Sequence, residues 1–429
     1  MDIKFWNELS ENERKDVLTR PAQTSSSKVQ TIVENIISRI CEEGDSALFE
    51  FSKNLDHYEG DSLELTEKEI EKACADLAPD LKKAIDTAYE NIKKFHEAQK
   101  SEHVELETFD GIVCQTAAHP IDSVGLYVPG GSAPLVSTAL MLGVPAQVAG
   151  CSEVILCSPP PISEAIIYAA HKAGVKRIFN LGGAQAIAAM AYGTATVPKV
   201  LKIFGPGNQF VTMAKRLVSN DPNGAAIDMP AGPSEVLVIA DNKADPSFVA
   251  ADLLSQAEHG PDSQVILVSD SEEFVKKAVA EVDSQLTKLP RREIAQKALS
   301  KSTAIIVESL EDAVAVSNKY APEHLILQIE DPDALIPALH NAGSVFVGAF
   351  TPESLGDYAS GTNHTLPTYG YAHTYSALGT ADYRRRYTIQ RASAQGLKAI
   401  APVVEALADA EGLGAHKNAV VVRVNALNK

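Results

Sequence analysis

The chain has 429 residues, 45% apolar and 22% charged, with a formal net charge of -18. That length exceeds one compact core, so two or more domains are expected. The acidic balance argues against a phosphate-backbone binder, and no nucleic-acid partner is expected.

Residues 1–120 read as a helical segment. In "SSSKVQTIVENIISRICEEGDSALFEFSKNLD" the apolar positions Val29, Ile32, Val33, Ile36, Ile37 and Ile40 follow a helical period. A second helix fits "LKKAIDTAYENIKKFHEAQK". Over 121–235 the texture changes to strict alternation. The strands "DSVGLYV", "SEVILCS", "KRIFN" and "VLKIF" each lead into a helix, and "SEVLVIAD" follows. Strands that are apolar throughout indicate a parallel sheet covered on both faces. A second alternating block spans 236–375, with strands "SQVILVSD", "TAIIVES", "EHLILQIE" and "GSVFVGAF". Its first helix starts at Asp245-Pro246, an N-cap followed by proline at the first helical position. The tail, 376–429, reads as helical apart from the Gly-rich "EGLGAH" and is too short for a core of its own. It must pack on the same chain or on a second one. The basic run "YRRRYTIQR" within it reads as a solvated helix face, with an anion site as the alternative. The fold class is therefore α/β, two doubly wound, Rossmann-like parallel-sheet domains with a helical N-terminal segment and a C-terminal tail.

The five cysteines, 41, 74, 114, 151 and 157, show no CxxC spacing, which argues against a disulfide framework or thiolate zinc site. Cys114, Cys151 and Cys157 also lack a Gly-rich nucleophile loop with a nearby histidine, so they read as structural. The start "MDIKFWNELS" lacks the pattern of a signal peptide, and the apolar stretch "LVSTALMLGVPAQVAG" is interrupted by Gly143 and Pro145. A cytoplasmic chain with no membrane span is expected.

Two sets of residues carry chemistry. The first is three Gly-rich turns after strands, "YVPGGSAP", "LGGAQA" and "GPGNQF". Glycine lets backbone approach a pyrophosphate, and the next helix offers free N–H groups to it. The standard dinucleotide fingerprint is absent, so ordinary βα turns remain the alternative. The second set is polar: Gln256 and His259, Glu323 and His324, Asp357 and His364, and Glu411 and His416. Gln256 and His259 stand three apart at the end of a helix that Gly260-Pro261 stops, so they share a face. A mixed nitrogen and oxygen set suits zinc or a neighbouring first-row metal, although each histidine alone could be structural. Glu323 and His324 would diverge on a formed strand and converge if Pro322-Glu323-His324 is still loop.

The motifs "YVPGG", "GGAQAIAA", "FGPGNQFV", "DMPAGPSEVLV", "DLLSQAEHG", "APEHL", "GDYASGTNHTLPT" and "EGLGAHKNAV" resemble the histidinol dehydrogenase family, in order and over nearly the whole chain. The resemblance implies a zinc enzyme that oxidises L-histidinol to L-histidine in two NAD-dependent steps through an aldehyde-level intermediate. It implies zinc ligands Gln256, His259, Asp357 and His416, with the metal holding the substrate rather than activating water. It implies His324 for proton abstraction and Glu323 for water activation. Substrate contacts would come from Ser234, Gln256, His259, His324, Asp357, Glu411 and His416, and NAD contacts from Tyr127, Gln185 and Asn208. It also implies a homodimer whose tail reaches the partner's site. The alternative enzyme class is a thiolate-dependent aldehyde dehydrogenase.

Overall fold

The computed structural model describes residues 1–21, 27–100, 103–130, 134–230 and 232–428. Its strands, in chain order, are β1 (Asp2–Phe5), β2 (Glu105–Phe109), β3 (Ile112–Pro120), β4 (Ser123–Tyr127), β5 (Glu153–Ser158), β6 (Arg177–Asn180) and β7 (Lys202–Phe204). They continue with β8 (Ala226–Ile227), β9 (Glu235–Ala240), β10 (Gln264–Ser269), β11 (Thr303–Ile306), β12 (His324–Gln328), β13 (Ser344–Val347) and β14 (Arg384–Ala392).

The first sheet has the order β6-β5-β4-β7-β8 and every pairing is parallel. The second has the order β1-β11-β10-β9-β12-β13, again parallel throughout. Counted within its own block, each is a 3-2-1-4-5 sheet, and the second gains β1 at one edge. That order follows from right-handed crossovers running outward from the first strand in both directions. It places a topological switch point between β4 and β7, and another between β9 and β12.

Helices cover both faces of the first sheet. One face packs Leu140, Met141 and Ile166 against Ile85, Tyr89 and Ile92 of the helix Pro79–Ala98. The other packs Ile187, Ala188 and Val211 against Val33, Ile36 and Ile40 of the helix Ser27–Glu43. The N-terminal helices are thus outer layers of the first domain. The helix Val136–Ala149 runs on through Gly143 and Pro145, with all but a few of its residues buried. None of the described helices is long and apolar enough to cross a membrane.

Three features depart from the expected outline. The first residues pair with the second sheet, through Asp2–Phe5 alongside Thr303–Ile306. The short strand β8 closes the first sheet at an edge. The "YRRRYTIQR" run is β14, not a helix, and it lies antiparallel to β3 along all nine residues, with β2 beyond. A strand partner more than 260 residues away outweighs local propensity, and the aromatic and β-branched residues Tyr387, Thr388 and Ile389 suit it. Its arginines lie on a sheet edge, where charge opposes stray pairing. The tail then continues as two helices, Ala394–Ala410 and Gly414–Leu427.

Trp6, the chain's single tryptophan, ties the first residues to the second domain, where it clusters with Leu18, Leu237, Ile239 and Val314. Arg14 lies over its ring at 5.2 Å. Trp6→Ala is expected to destabilise the protein by about 3–5 kcal/mol, as removal of a buried aromatic usually does. Urea unfolding followed by far-UV circular dichroism measures it. An unchanged midpoint would mean that the N-terminal strand is not anchored there.

Candidate active site between the two sheets

The helix Pro246–Ala257 is set by its start, where the Asp245 side chain accepts from the Ser247 amide and Pro246 occupies the first position. Its last turn carries Gln256, fully buried, and His259 follows, exposed on the cleft wall. A helix C-terminus is the negative end of the macrodipole and favours a cation there. The Gln256 amide nitrogen donates to the Glu235 carbonyl (3.0 Å) and lies 2.9 Å from His324 Nδ1. Its Oε1 is buried and has no hydrogen-bond partner.

Glu323 and His324 stand where β12 begins, after Pro322 and the left-handed residue Ala321 (φ 53°). They converge, because Glu323 precedes the strand. Its Oε2 accepts from the Glu235 amide (2.8 Å) and lies 3.7 Å from His324 Nδ1. His324 Nε2 faces Asp357 Oδ1 at 3.6 Å. Asp357 belongs to the short helix Glu353–Tyr358, which also brings in Glu353. His259, Glu353 and Asp357 offer ligand atoms all within 4.8 Å of one another. Glu353 was not among the expected residues. In "TPESLGDY" it looks like a solvated helix-start acid, yet it is buried and its Oε2 has no partner.

Charge is concentrated here. Burial pushes the Glu323 carboxyl up to about 8, against the pull of His324. Burial likewise raises Glu353. Burial would lower His324, but the carboxylates Glu353, Glu323 and Asp357 outweigh it and raise the imidazole well above its ordinary value. The unpartnered oxygens of Glu353 and Gln256, with Asp357 and a helix C-terminus beside them, make a fitting cradle for a dication. The donor set of nitrogen and oxygen suits zinc.

These groups sit at the amino ends of β9 and β12, as the place of Glu323 and His324 before an apolar strand implied, whereas ligands of open parallel sheets usually bind at the carboxyl ends. The carboxyl ends of the second sheet instead carry Asp241, Asp270, Glu308 and Glu330 around a separate hollow of about 580 Å³. That acidic rim would repel a pyrophosphate. The first sheet supplies its carboxyl ends to the cleft. A cavity of about 660 Å³ runs from Gly207, Asn208 and Arg216 to Ser234, His259 and Asp262. It joins the two domains at the switch point of the first.

Of the three Gly-rich turns, "GPGNQF" opens onto that cavity. Asn208 caps the helix Gln209–Asn220 by accepting from the Phe210 and Val211 amides, and it is exposed. Lys215 and Asp228 clamp the turn from beneath. Lys215 Nζ donates to the Gly205 carbonyl (2.8 Å) and the Gly205 amide donates to Asp228 (2.7 Å). Gly205 has φ +120°, and a Cβ there would lie 2.1 Å from the Tyr127 carbonyl, so no other residue fits. The turn "LGGAQA" is closed from within. Asp56 accepts from the Gly182 amide (3.2 Å) and from Gln185 (3.0 Å), and the Tyr127 hydroxyl accepts from the Gly183 amide (3.1 Å). Tyr127 and Gln185 are thus buried partners of that turn, away from the cavity lining. Within "YVPGGSAP", residues 131–133 lie outside the described residues.

The remaining expected residues divide. Ser234 lines the cavity. His364 is tied to Ser137 at 3.2 Å, joining the loop after the Asp357 helix to the first domain. Glu411 and His416 are exposed on the tail, outside the cluster of their own chain. The thiols sit elsewhere. Cys157 is wholly buried in β5, burial pushes Cys151 up to about 11, and Cys114 lies in β3. No described cysteine belongs to the cavity lining.

A family model, histidinol dehydrogenase, matches residues 18–424. The chain belongs to the histidinol dehydrogenase family. A histidinol dehydrogenase of Vibrio vulnificus is 57% identical over 428 residues, covering 100% of this chain and 99% of that one. One of Vibrio cholerae is 56% identical over 429 residues, covering 100% of both. The crystal structure of histidinol dehydrogenase from Elizabethkingia anophelis superposes with a TM-score of 0.97 at 48% identity, covering 100% of this chain and 99% of that one. Membership makes the chain an oxidoreductase, the enzyme class that its motifs implied.

If Glu353 helps to hold a cation, Glu353→Gln should weaken zinc binding by about 10–100-fold, the usual effect of a supporting carboxylate. Competition against a chromophoric chelator reads this directly. Unchanged affinity would leave Glu353 a packing residue.

Proposed function

We propose that this chain oxidises L-histidinol to L-histidine in two successive NAD-dependent steps, with a zinc ion holding the substrate at the cleft. The observation that carries this reading is the cluster of buried Gln256, Glu323 and His324 with half-buried Asp357 and exposed His259. It faces a cavity shared with a Gly-rich turn, in a chain of this family.

Gln256, His259 and Asp357 would hold the metal, and the unpartnered Gln256 Oε1 is the acceptor that a cation would satisfy. The zinc, when bound, would serve as a template for the substrate's amine and imidazole. Each oxidation removes a hydride, for which NAD is the acceptor, and releases a proton. His324 would take the hydroxyl proton in the first step, once a bound dication offsets the carboxylates that raise its imidazole. The second step adds water to the aldehyde carbon before the second hydride leaves. Glu323, 3.7 Å from His324, would take the proton from that water when the bound dication and His324 favour its ionised form over the neutral form that burial favours. Ser234 on the cavity wall would hydrogen-bond the substrate. NAD would enter along the first sheet's carboxyl ends, beside Asn208 and the positive end of the helix Gln209–Asn220. Tyr127 and Gln185 would support the neighbouring turn, and they reach NAD only if that turn opens.

The fourth metal ligand, His416, and the substrate ligand Glu411 would come from a second copy in a homodimer. Support comes from the tail itself. The helix Gly414–Leu427 buries none of its residues within the chain. Val403, Leu407, Leu413, Val422 and Leu427 are exposed on the tail, as are Val104, Leu106 and Tyr387 on the adjoining sheet. Such an apolar surface needs a partner, and a two-fold interface would cover both copies at once.

The test is NADH formation from L-histidinol by purified protein. About two NADH per histidinol consumed are expected from two two-electron steps, lost on exhaustive chelation and restored by zinc. One NADH per substrate, or full activity at zero metal content, would overturn the reading.

A further inference from the structure

One residue touches every member of the acid–base pair's support. The Glu235 amide donates to Glu323 Oε2 at 2.8 Å. The Glu235 carbonyl accepts from Gln256 at 3.0 Å and lies 3.1 Å from His324 Nδ1. Wherever this one residue sits, Glu323, His324 and Gln256 must follow. Its side chain is itself buried, 2% exposed, and belongs to neither the cavity lining nor the metal cluster.

A buried carboxylate is costly without partners, and this one has a full set. Arg20 meets it with a fork, Nε to Oε1 at 2.5 Å and Nη2 to Oε2 at 2.9 Å. The Tyr369 amide also donates to Oε1, at 2.7 Å. The same guanidinium reaches the other side of the site. Arg20 Nη2 donates to the carbonyls of Tyr320 (2.7 Å) and Ala321 (3.2 Å), and its Cζ lies 3.9 Å from the centre of the Tyr320 ring. Tyr320 and Ala321 end the helix that leads into Pro322-Glu323-His324. Arg20 therefore joins the start of β9 to the approach of β12, the two strands whose first residues make the site. Only a planar group with several donors in fixed directions does this, and an ammonium offers a single point.

We propose that Arg20 and Glu235 are positioning residues for the acid–base pair. Their ion pair fixes the spacing between the starts of β9 and β12, and so the alignment of His324 and Glu323 with the substrate. This rests on the roles proposed for His324 and Glu323. The positioning chain starts at residue 20, whose neighbour Pro21 lines the cavity, so the N-terminal segment reaches the acid–base pair through this ion pair.

The experiment compares Arg20→Lys with wild type and with His324→Ala in steady-state NADH formation from L-histidinol, with zinc content and circular dichroism measured on each. Arg20→Lys keeps the charge and loses the fork. It should keep the fold and zinc, hold KM for histidinol within about threefold, and lower kcat by about 10–100-fold, the range that small misplacements cost. Removing the charges together, in Arg20→Met/Glu235→Gln, avoids a lone buried carboxylate and should show the same split of kcat from KM. It is read by the same criteria if Arg20→Lys does not fold. Wild-type kcat in the folded variants would overturn the proposal, as would a loss matched by lost zinc or by raised KM. Loss of the fold in both would also overturn it, since the pair would then hold the domain and not the site. If His324→Ala itself keeps wild-type kcat, the acid–base roles fail first. If His324→Ala is impaired and Arg20→Lys is not, the positioning proposal alone fails.

Discussion

Glu235 opens β9 with its backbone amide and carbonyl turned toward Glu323, Gln256 and His324. Buried polar groups must find partners, and here one residue's backbone meets three side chains from two separate segments. The cluster can form only where the starts of β9 and β12 lie side by side, which the parallel register provides by pairing His324 with Val236. The site therefore depends on the order of the second sheet, in which β9 and β12 are neighbours although more than 80 residues separate them.

The two sheets share an order yet contribute opposite ends to the cleft. The first offers its carboxyl ends, where the turn at Gly207-Asn208, Arg216 and the positive end of the helix Gln209–Asn220 meet the cavity. The second offers its amino ends, where the C-terminus of the helix Pro246–Ala257 and buried carboxylates collect negative charge. One half of the cavity is thus suited to a phosphate and the other to a cation. A dinucleotide and a metal-held substrate would meet at the boundary, which is the geometry that hydride transfer between them requires.

Much of this was legible in the sequence because buried parallel strands are apolar throughout. "EVLVIA" and "QVILVS" could hardly be anything else, and the alternation with helices set the fold class. Helical spacing put Gln256 and His259 on one face and polar residues beside turns singled out Asp357, Glu323 and His324, but only the family resemblance gave them roles. Other features had no local signal. The "RRRYTIQRA" strand owes its conformation to a distant partner, and charge masked its alternation. Glu353 has the sequence surroundings of a surface acid, and only packing buries it. Gln185 stands in a nucleotide-type turn, but Asp56, from the far N-terminal segment, occupies the amides that a phosphate would seek. Arg20 gives no hint in its own sequence of the carboxylate 215 residues away.

A metal held between Gln256, His259 and Asp357 of one chain would be completed by a second chain. Zinc-edge anomalous diffraction from crystals of the zinc-loaded enzyme tests this most directly. One anomalous peak per active site is expected, within bonding distance of those three side chains and of His416 of the partner subunit. A peak bound by His416 of the same chain, or one away from Gln256, His259 and Asp357, would contradict it.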